Sequence, residues 1–207
     1  MSASASAATA AKPGYQGTDK LLWGIVLGVL TFWLFAGTVG TTARNILLDI
    51  NGPYSDPATQ AWTNPYITVD QMNLAVSITA LFSGLFIVAI GTLADRIGRV
   101  KITLIGNGLG ILGSVLVVLS AGTPALPLML SGRAIQGLSA AFIMPATMAL
   151  LKAYWDGAGR QRAVSMWSIG SWGGSGLAAL FGGFMASSAL GWRFIFIASI
   201  VISIISI

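Results

Sequence analysis

Chemistry-bearing side chains are scarce in this sequence. The densest group is Gly91-Thr92-Leu93-Ala94-Asp95-Arg96-Ile97-Gly98-Arg99-Val100-Lys101. One carboxylate, Asp95, sits there among three cations, Arg96, Arg99 and Lys101. It can accept charge-assisted hydrogen bonds from either arginine, or from the N-terminus of an incoming helix, where negative charge is favoured. Gly98 is placed to supply a turn with positive φ, and Gly91 to let another helix approach closely. Charge alone leaves a simpler reading open: a solvated loop that only sets topology.

The second group is Arg133 with Gln136 and Gly137, which share its helical face. A helix starting near Pro124 or Pro127 puts Arg133 about 9–14 Å along its axis, inside an apolar region. An ionisable group at the centre of a membrane helix costs roughly 2.5–3.5 kcal/mol and marks a functional site. The competing reading is an arginine that snorkels to the nearer interface. A third feature is the recurrence of Gly170, Gly174, Ala178, Gly182 and Ala186 every fourth residue, a small-residue ridge for helix packing, with Gly183 beside it.

The elements that position these groups follow from composition. The chain has 207 residues, 55% hydrophobic and only 8% charged, with a net charge of +5. A mean hydropathy of +0.82 does not suit a water-soluble globule. Histidine, cysteine and glutamate are absent, so no thiolate or imidazole is available to hold a zinc or activate a nucleophile. Metal, enzyme and cofactor readings are therefore disfavoured. The basic pI does not point to nucleic acid, because the cations cluster at the ends of apolar runs instead of forming a stripe interleaved with aromatics.

Six apolar segments, about 21–42, 71–94, 102–121, 125–151, 163–187 and 192–207, follow a Ser/Ala-rich tail over 1–20 that reads as disordered. A polar connection over about 44–70 carries Trp62 and Tyr66, expected as interfacial anchors. Lys12, Lys20, Arg96, Arg99, Lys101, Lys152, Arg160 and Arg162 fall on one side of this serpentine, and only Arg44 and Arg193 on the other. That asymmetry places the N-terminus in the cytoplasm. The last segment is short and has no cationic anchor, so the chain is expected to be cut inside or just after its sixth helix.

The loop Gly91-x-Leu93-Ala94-Asp95-Arg96-x-Gly98-Arg99 resembles the signature of the major facilitator superfamily, which lies between the second and third helices. It departs at Val100, where that family usually has a second cation; Lys101 comes one step late. Arg133-x-x-Gln136-Gly137-x-Ser139-Ala140-Ala141 is similar to the fourth-helix motif of proton-coupled facilitators, with Ser139 in place of the usual glycine. Gly174, Gly182-Gly183 and Trp192-Arg193 resemble the fifth-helix motif of drug–proton antiporters, but Ala178-Ala179 stands where that motif has Gly-Pro. Residues 32–35, 75–84, 133–147 and 167–176 are similar to quinolone-resistance efflux pumps of the fourteen-helix drug–proton antiporter family. This likeness covers nearly all of 20–207 except about 47–68.

The resemblance implies an all-α integral membrane fold, with six transmembrane helices arranged as a 3+3 inverted repeat that forms an N-terminal transporter bundle over 21–207. It implies that Asp95, with Gly91, Arg96, Gly98 and Arg99, holds a cytoplasmic gate against a second bundle of the same protein. It implies a proton-transfer role for Arg133, with Gln136 and Gly137, and a proton gradient in place of any cofactor. Many fourteen-helix antiporters carry an aspartate in the first helix; none lies in any of these six segments.

The central cavity of such a transporter lies near the midplane. Its candidate lining here is Phe32, Trp33, Met144, Met148, Trp167 and Trp172, with Asn107 and Gln136 as polar members. For each apolar member, a lipid-facing or packing role is the stronger competing reading. The function expected is proton-coupled efflux of amphipathic compounds across the plasma membrane, with the lipid bilayer, protons and small substrates as partners and no nucleic acid. A metabolite facilitator of the same superfamily and a non-transporting scaffold or sensor are the alternatives.

Overall fold

A computed structural model describes residues 17–207. Among them there is no strand, only an isolated antiparallel bridge between Asp56 and Ala61. The helices are α1 (Asp19–Asn51), α2 (Val69–Ile97), α3 (Arg99–Val118), α4 (Ala125–Tyr154), α5 (Gly157–Ser168), α6 (Gly174–Ser187) and α7 (Arg193–Ser206). A π-helical turn, Ile169–Gly173, joins α5 to α6, so the fifth span is interrupted. By length and hydropathy α1, α2, α3 and α4 can each cross a bilayer, and α7 is a shorter apolar helix. This is a multi-pass membrane protein.

The fifth span begins at Gly157 instead of about 163, and both ends of α1 also differ from the sequence expectation. The tail expected over 1–20 lies mostly outside the described residues, but Asp19 and Lys20 already belong to α1, which Thr18 caps by accepting from the Leu21 amide. At its other end α1 runs on to Asn51 and carries Arg44 and Asp49 with it. The reason is a short amphipathic extension: Ile46, Leu47 and Ile50 are buried while the polar residues between them face outward. The true connection is only 52–68, and it folds back on itself. The Asn51 amide donates to Ile67 O (2.8 Å) and accepts from its N–H (3.1 Å). Trp62 donates to Gly52 O (2.9 Å) and packs on Tyr54, so it secures this loop. A capping box of Thr68 and Gln71 then starts α2.

α4 lies against α3 and α2; α1 lies against α6 and α7; α3 also meets α7. Glycines set these approaches. A Cβ on Gly137 would sit 2.4 Å from Thr79 O of α2, and one on Gly113 would sit 2.8 Å from Gly132 O of α4. The fifth-span ridge meets α1: Gly170 lies against Val26, Gly174 against Trp33 and Gly182 against Thr38. Gly183 has open space around it and is not part of that ridge. Gly91 meets Pro145 of α4 at an ordinary contact distance of 3.5 Å, so no close approach within the bundle requires a glycine there.

Elsewhere large apolar side chains stand uncovered, among them Leu81, Leu85 and Val88 on α2 and Leu180 and Phe184 on α6. Such faces suit a lipid or protein environment and not water.

Candidate functional site

The two ends of the bundle are tied differently. At the hairpin end, Gly98 has φ +115° and ends α2, so α3 begins at Arg99. Arg99 Nε and Nη2 both donate to Asp95 Oδ1 (3.1 and 3.0 Å), and Nη1 donates to Ala149 O on α4 (3.0 Å). The arginine thus clips the hairpin to the last turns of α4, where carbonyl oxygens favour a cation. Asp95 itself is exposed, and Arg96 lies on the surface beside it. Arg162 pairs with Asp19 (3.1 Å) and Gly17 N donates to Tyr154 O (2.8 Å), bringing the start of α1 to the same end.

At the opposite end Arg193 pairs with Asp49 and donates to Val118 O (3.1 Å) and Ser120 O (3.2 Å), and Trp192 Nε1 also reaches Asp49 (3.2 Å). The sequence carried this cluster only as a motif. Its contact with α1 became readable once α1 was seen to continue through Asp49.

Between these ends, Arg133 is 1% exposed. It stays inside the bundle and does not snorkel. Nε donates to Ala75 O of α2 (3.1 Å), and Nη1 donates to Phe35 O of α1 (2.6 Å) and to Gln136 Oε1 (2.8 Å). Gln136 Nε2 in turn donates to Ser114 Oγ on α3 (3.1 Å), and Thr79 Oγ1 donates to Arg133 O (3.0 Å). One guanidinium therefore bridges three helices through carbonyl and amide oxygens, with no carboxylate among its partners. Gly137, one residue beyond Gln136, lets α2 come near enough for this.

Arg133 also lines an open cavity of about 430 Å³ between α1, α2 and α4. Phe32, Trp33, Ala36 and Gly37 form one wall, and Val76, Thr79, Ala80, Ser83 and Gly84 the other. The Phe32 and Trp33 rings meet edge to face, 5.0 Å apart, and Trp33 Nε1 donates to Ser171 Oγ of the π turn (3.4 Å). Guanidinium N–H groups, an indole and small hydroxyls on one apolar surface can receive a flat amphipathic molecule.

The other cavity candidates lie elsewhere. Gln136 is fully buried beside Arg133, and Asn107 is buried where α1, α3 and α7 meet. Trp167 is half-buried and donates to Thr147 Oγ1 (3.1 Å). Met144 and Met148 are half-buried on α4 away from the cavity wall. Trp172, in the π turn, is 75% exposed and does not line this cavity. The α2 wall was missed. Its signal was a stripe of small residues at helical spacing, Thr79, Ala80, Ser83 and Gly84, on an otherwise bulky helix.

The profile of the Major Facilitator Superfamily matches residues 21–207, and the chain belongs to that superfamily, whose members are membrane transporters and not enzymes. Among individual proteins, it is 50% identical over 197 residues to the quinolone resistance protein NorB of Staphylococcus aureus strain bovine RF122 / ET3-1, covering 95% of this chain. The NorB proteins of strains JH9 and Newman are 49% identical over the same length. This chain spans 38% of the length of those relatives.

Proposed function

We propose that this chain is the N-terminal bundle of a proton-coupled transporter that exports amphipathic, quinolone-like compounds across the plasma membrane by alternating access. The observation that carries this reading is the buried Arg133 guanidinium, held by oxygens without a carboxylate partner, at the wall of the Phe32–Trp33 cavity. An uncompensated positive charge there is sensitive to a proton or an electron-rich substrate arriving beside it. The resemblance of its surroundings to pumps named for quinolone resistance supplies the substrate class.

The helix pairings favour an internal 3+3 repeat. Numbering the spans one to six, with α5, the π turn and α6 as the fifth and α7 as the sixth, exchange of one with four, two with five and three with six maps the main observed pairs onto each other. The pairs two–four and five–one correspond, as do three–four and six–one, and three–six maps onto itself. In this reading the cation-rich hairpin end faces the cytoplasm with the N-terminus, and exposed Asp95 engages a second bundle when the gate shuts. No cofactor is required; the proton gradient is the energy source.

Cells expressing the full-length protein are expected to accumulate less of a fluorescent quinolone than control cells, and Arg133→Ala is expected to abolish the difference. Unchanged efflux by a well-expressed Arg133→Ala protein would remove Arg133 from the mechanism.

A further inference from the structure

Arg133 has donors left over. A guanidinium carries five N–H donors, one on Nε and two on each terminal nitrogen. Ala75 O takes the Nε donor, and Phe35 O and Gln136 Oε1 take those of Nη1. Nη2 makes no hydrogen bond among the described residues. Nor is it sealed in, because the fully buried side-chain polar atom without a partner among those residues is Asn107 Oδ1. The open space that Arg133 lines is the Phe32–Trp33 cavity, so the free N–H groups of Nη2 face that cavity.

The charge is unanswered as well. Arg133 is the one charged side chain in the cavity lining. Every carboxylate of this chain lies near a helix end or in a connection, and none lines the cavity. A cation 1% exposed is poorly screened, so an anion that reaches it is attracted far more strongly than at the surface. The bonds to Ala75 O, Phe35 O and Gln136 hold the guanidinium in place, so little ordering is needed when that anion arrives.

The walls suit the body that would carry the anion. Phe32 and Trp33 offer aromatic surface on one side. On the other, Ala80 and Gly84 leave the wall low; a Cβ on Gly84 would meet nothing within 4 Å. A slot of about 430 Å³ with aromatic and small apolar sides and one cationic point has the size and character of a site for a drug-sized molecule.

Resting on the efflux reading above, we infer that Arg133 Nη2 is the recognition point for a substrate carboxylate. The compounds it selects are planar aromatic acids, with the ring on Phe32 and Trp33 and the carboxylate on Nη2. A compound without the carboxylate loses the charge-assisted bond and keeps only the ring contacts.

The test is binding of norfloxacin and of its decarboxylated analogue to the purified full-length protein in lipid nanodiscs, for wild type and Arg133→Gln. Norfloxacin accumulation in cells expressing wild type is measured alongside. Wild type is expected to bind norfloxacin about tenfold or more tightly than the analogue, as loss of a charge-assisted bond requires. Arg133→Gln is expected to bind both compounds alike, at the wild-type affinity for the analogue. Equal affinities in wild type, or a preference that survives in Arg133→Gln, would overturn the inference; lowered accumulation in the same experiment would leave the efflux reading standing. Binding of neither compound, with accumulation unchanged, would overturn both. Should Arg133→Gln fail to fold, a density map of the wild-type norfloxacin complex decides. A carboxylate of the drug on Nη2 supports the inference, and a protein carboxylate there, or the drug's carboxylate on another residue, overturns it.

Discussion

Arg99 and Arg193 stand in matching places at opposite ends of the bundle. Each is the first residue of its helix and pairs with an aspartate, and Arg99 also donates to one backbone carbonyl and Arg193 to two. Arg99 holds the α2–α3 hairpin to α4, and Arg193 holds α7 to Asp49 of α1 and to the end of α3. A side chain that satisfies carboxylate and carbonyls together is worth more than either contact alone, because its removal leaves all of those oxygens unmet.

Arg193→Ala is therefore expected to lower thermal stability more than Asp49→Asn, which leaves the bonds to Val118 O and Ser120 O in place. Half-exposed ion pairs contribute only about 0–1 kcal/mol, so the excess reports the carbonyl bonds. Thermal unfolding of the purified protein in one detergent decides it. Equal midpoints for the two variants would show that the carbonyl contacts contribute nothing.

Gly137→Ala is expected to disrupt the α2–α4 contact, since its Cβ would lie 2.4 Å from Thr79 O, a backbone atom that cannot swing aside. Overpacking of this kind costs about 1–3 kcal/mol or more. Gly183→Ala, with nothing within 4 Å, is expected to be neutral. Yield and monodispersity of the two variants compare them directly. A well-behaved Gly137→Ala protein would contradict the packing described.

The sequence made the hairpin legible because charge between two apolar runs has one reading in a membrane protein. The same rule misled at 43–51 and 157–162. There, charged residues on the outward faces of helices looked like loop, although Ile46, Leu47 and Ile50 keep helical spacing. Arg133, Gln136 and Gly137 stood out because a lone charge and a glycine inside an apolar helix need a partner and a neighbour. Their partners, Phe35 O and Ala75 O, are backbone atoms and carry no sequence signal. The π turn at Ile169–Gly173 is likewise not announced by residue types.

Asp95→Asn is expected to leave the stability of this bundle within about 1 kcal/mol, because the pair with Arg99 is solvent-exposed. Efflux by the full-length protein should nonetheless fall strongly if exposed Asp95 closes a gate against a second bundle. Thermal unfolding and drug accumulation measured on the same variant separate the two roles. Efflux at the wild-type level would reduce the hairpin to a topology marker.

Asp56, in the connection between α1 and α2, accepts from the Thr59 hydroxyl (2.6 Å) and the Ala58 amide (2.9 Å), and these bonds hold its pKa below the ordinary value of 3.8. A depressed carboxylate pKa stabilises the turn above the unfolded value, and that contribution is lost as pH falls through the folded one. Thr59→Val should raise the Asp56 pKa, read from its carboxyl carbon shift by NMR. An unchanged pKa in that variant would show that the Thr59 bond does not form in solution.

The central claim is that the buried Arg133 guanidinium links substrate movement to proton movement. Its most direct test is proton flux into proteoliposomes of the purified full-length protein when norfloxacin is supplied, for wild type and Arg133→Lys. Lysine keeps the charge, but its single ammonium cannot reproduce the planar fork that reaches Phe35 O, Ala75 O and Gln136 at once. Wild type is predicted to move protons only with the drug present, and Arg133→Lys to lose that coupled flux. Drug-dependent proton flux of wild-type size in Arg133→Lys would contradict the account.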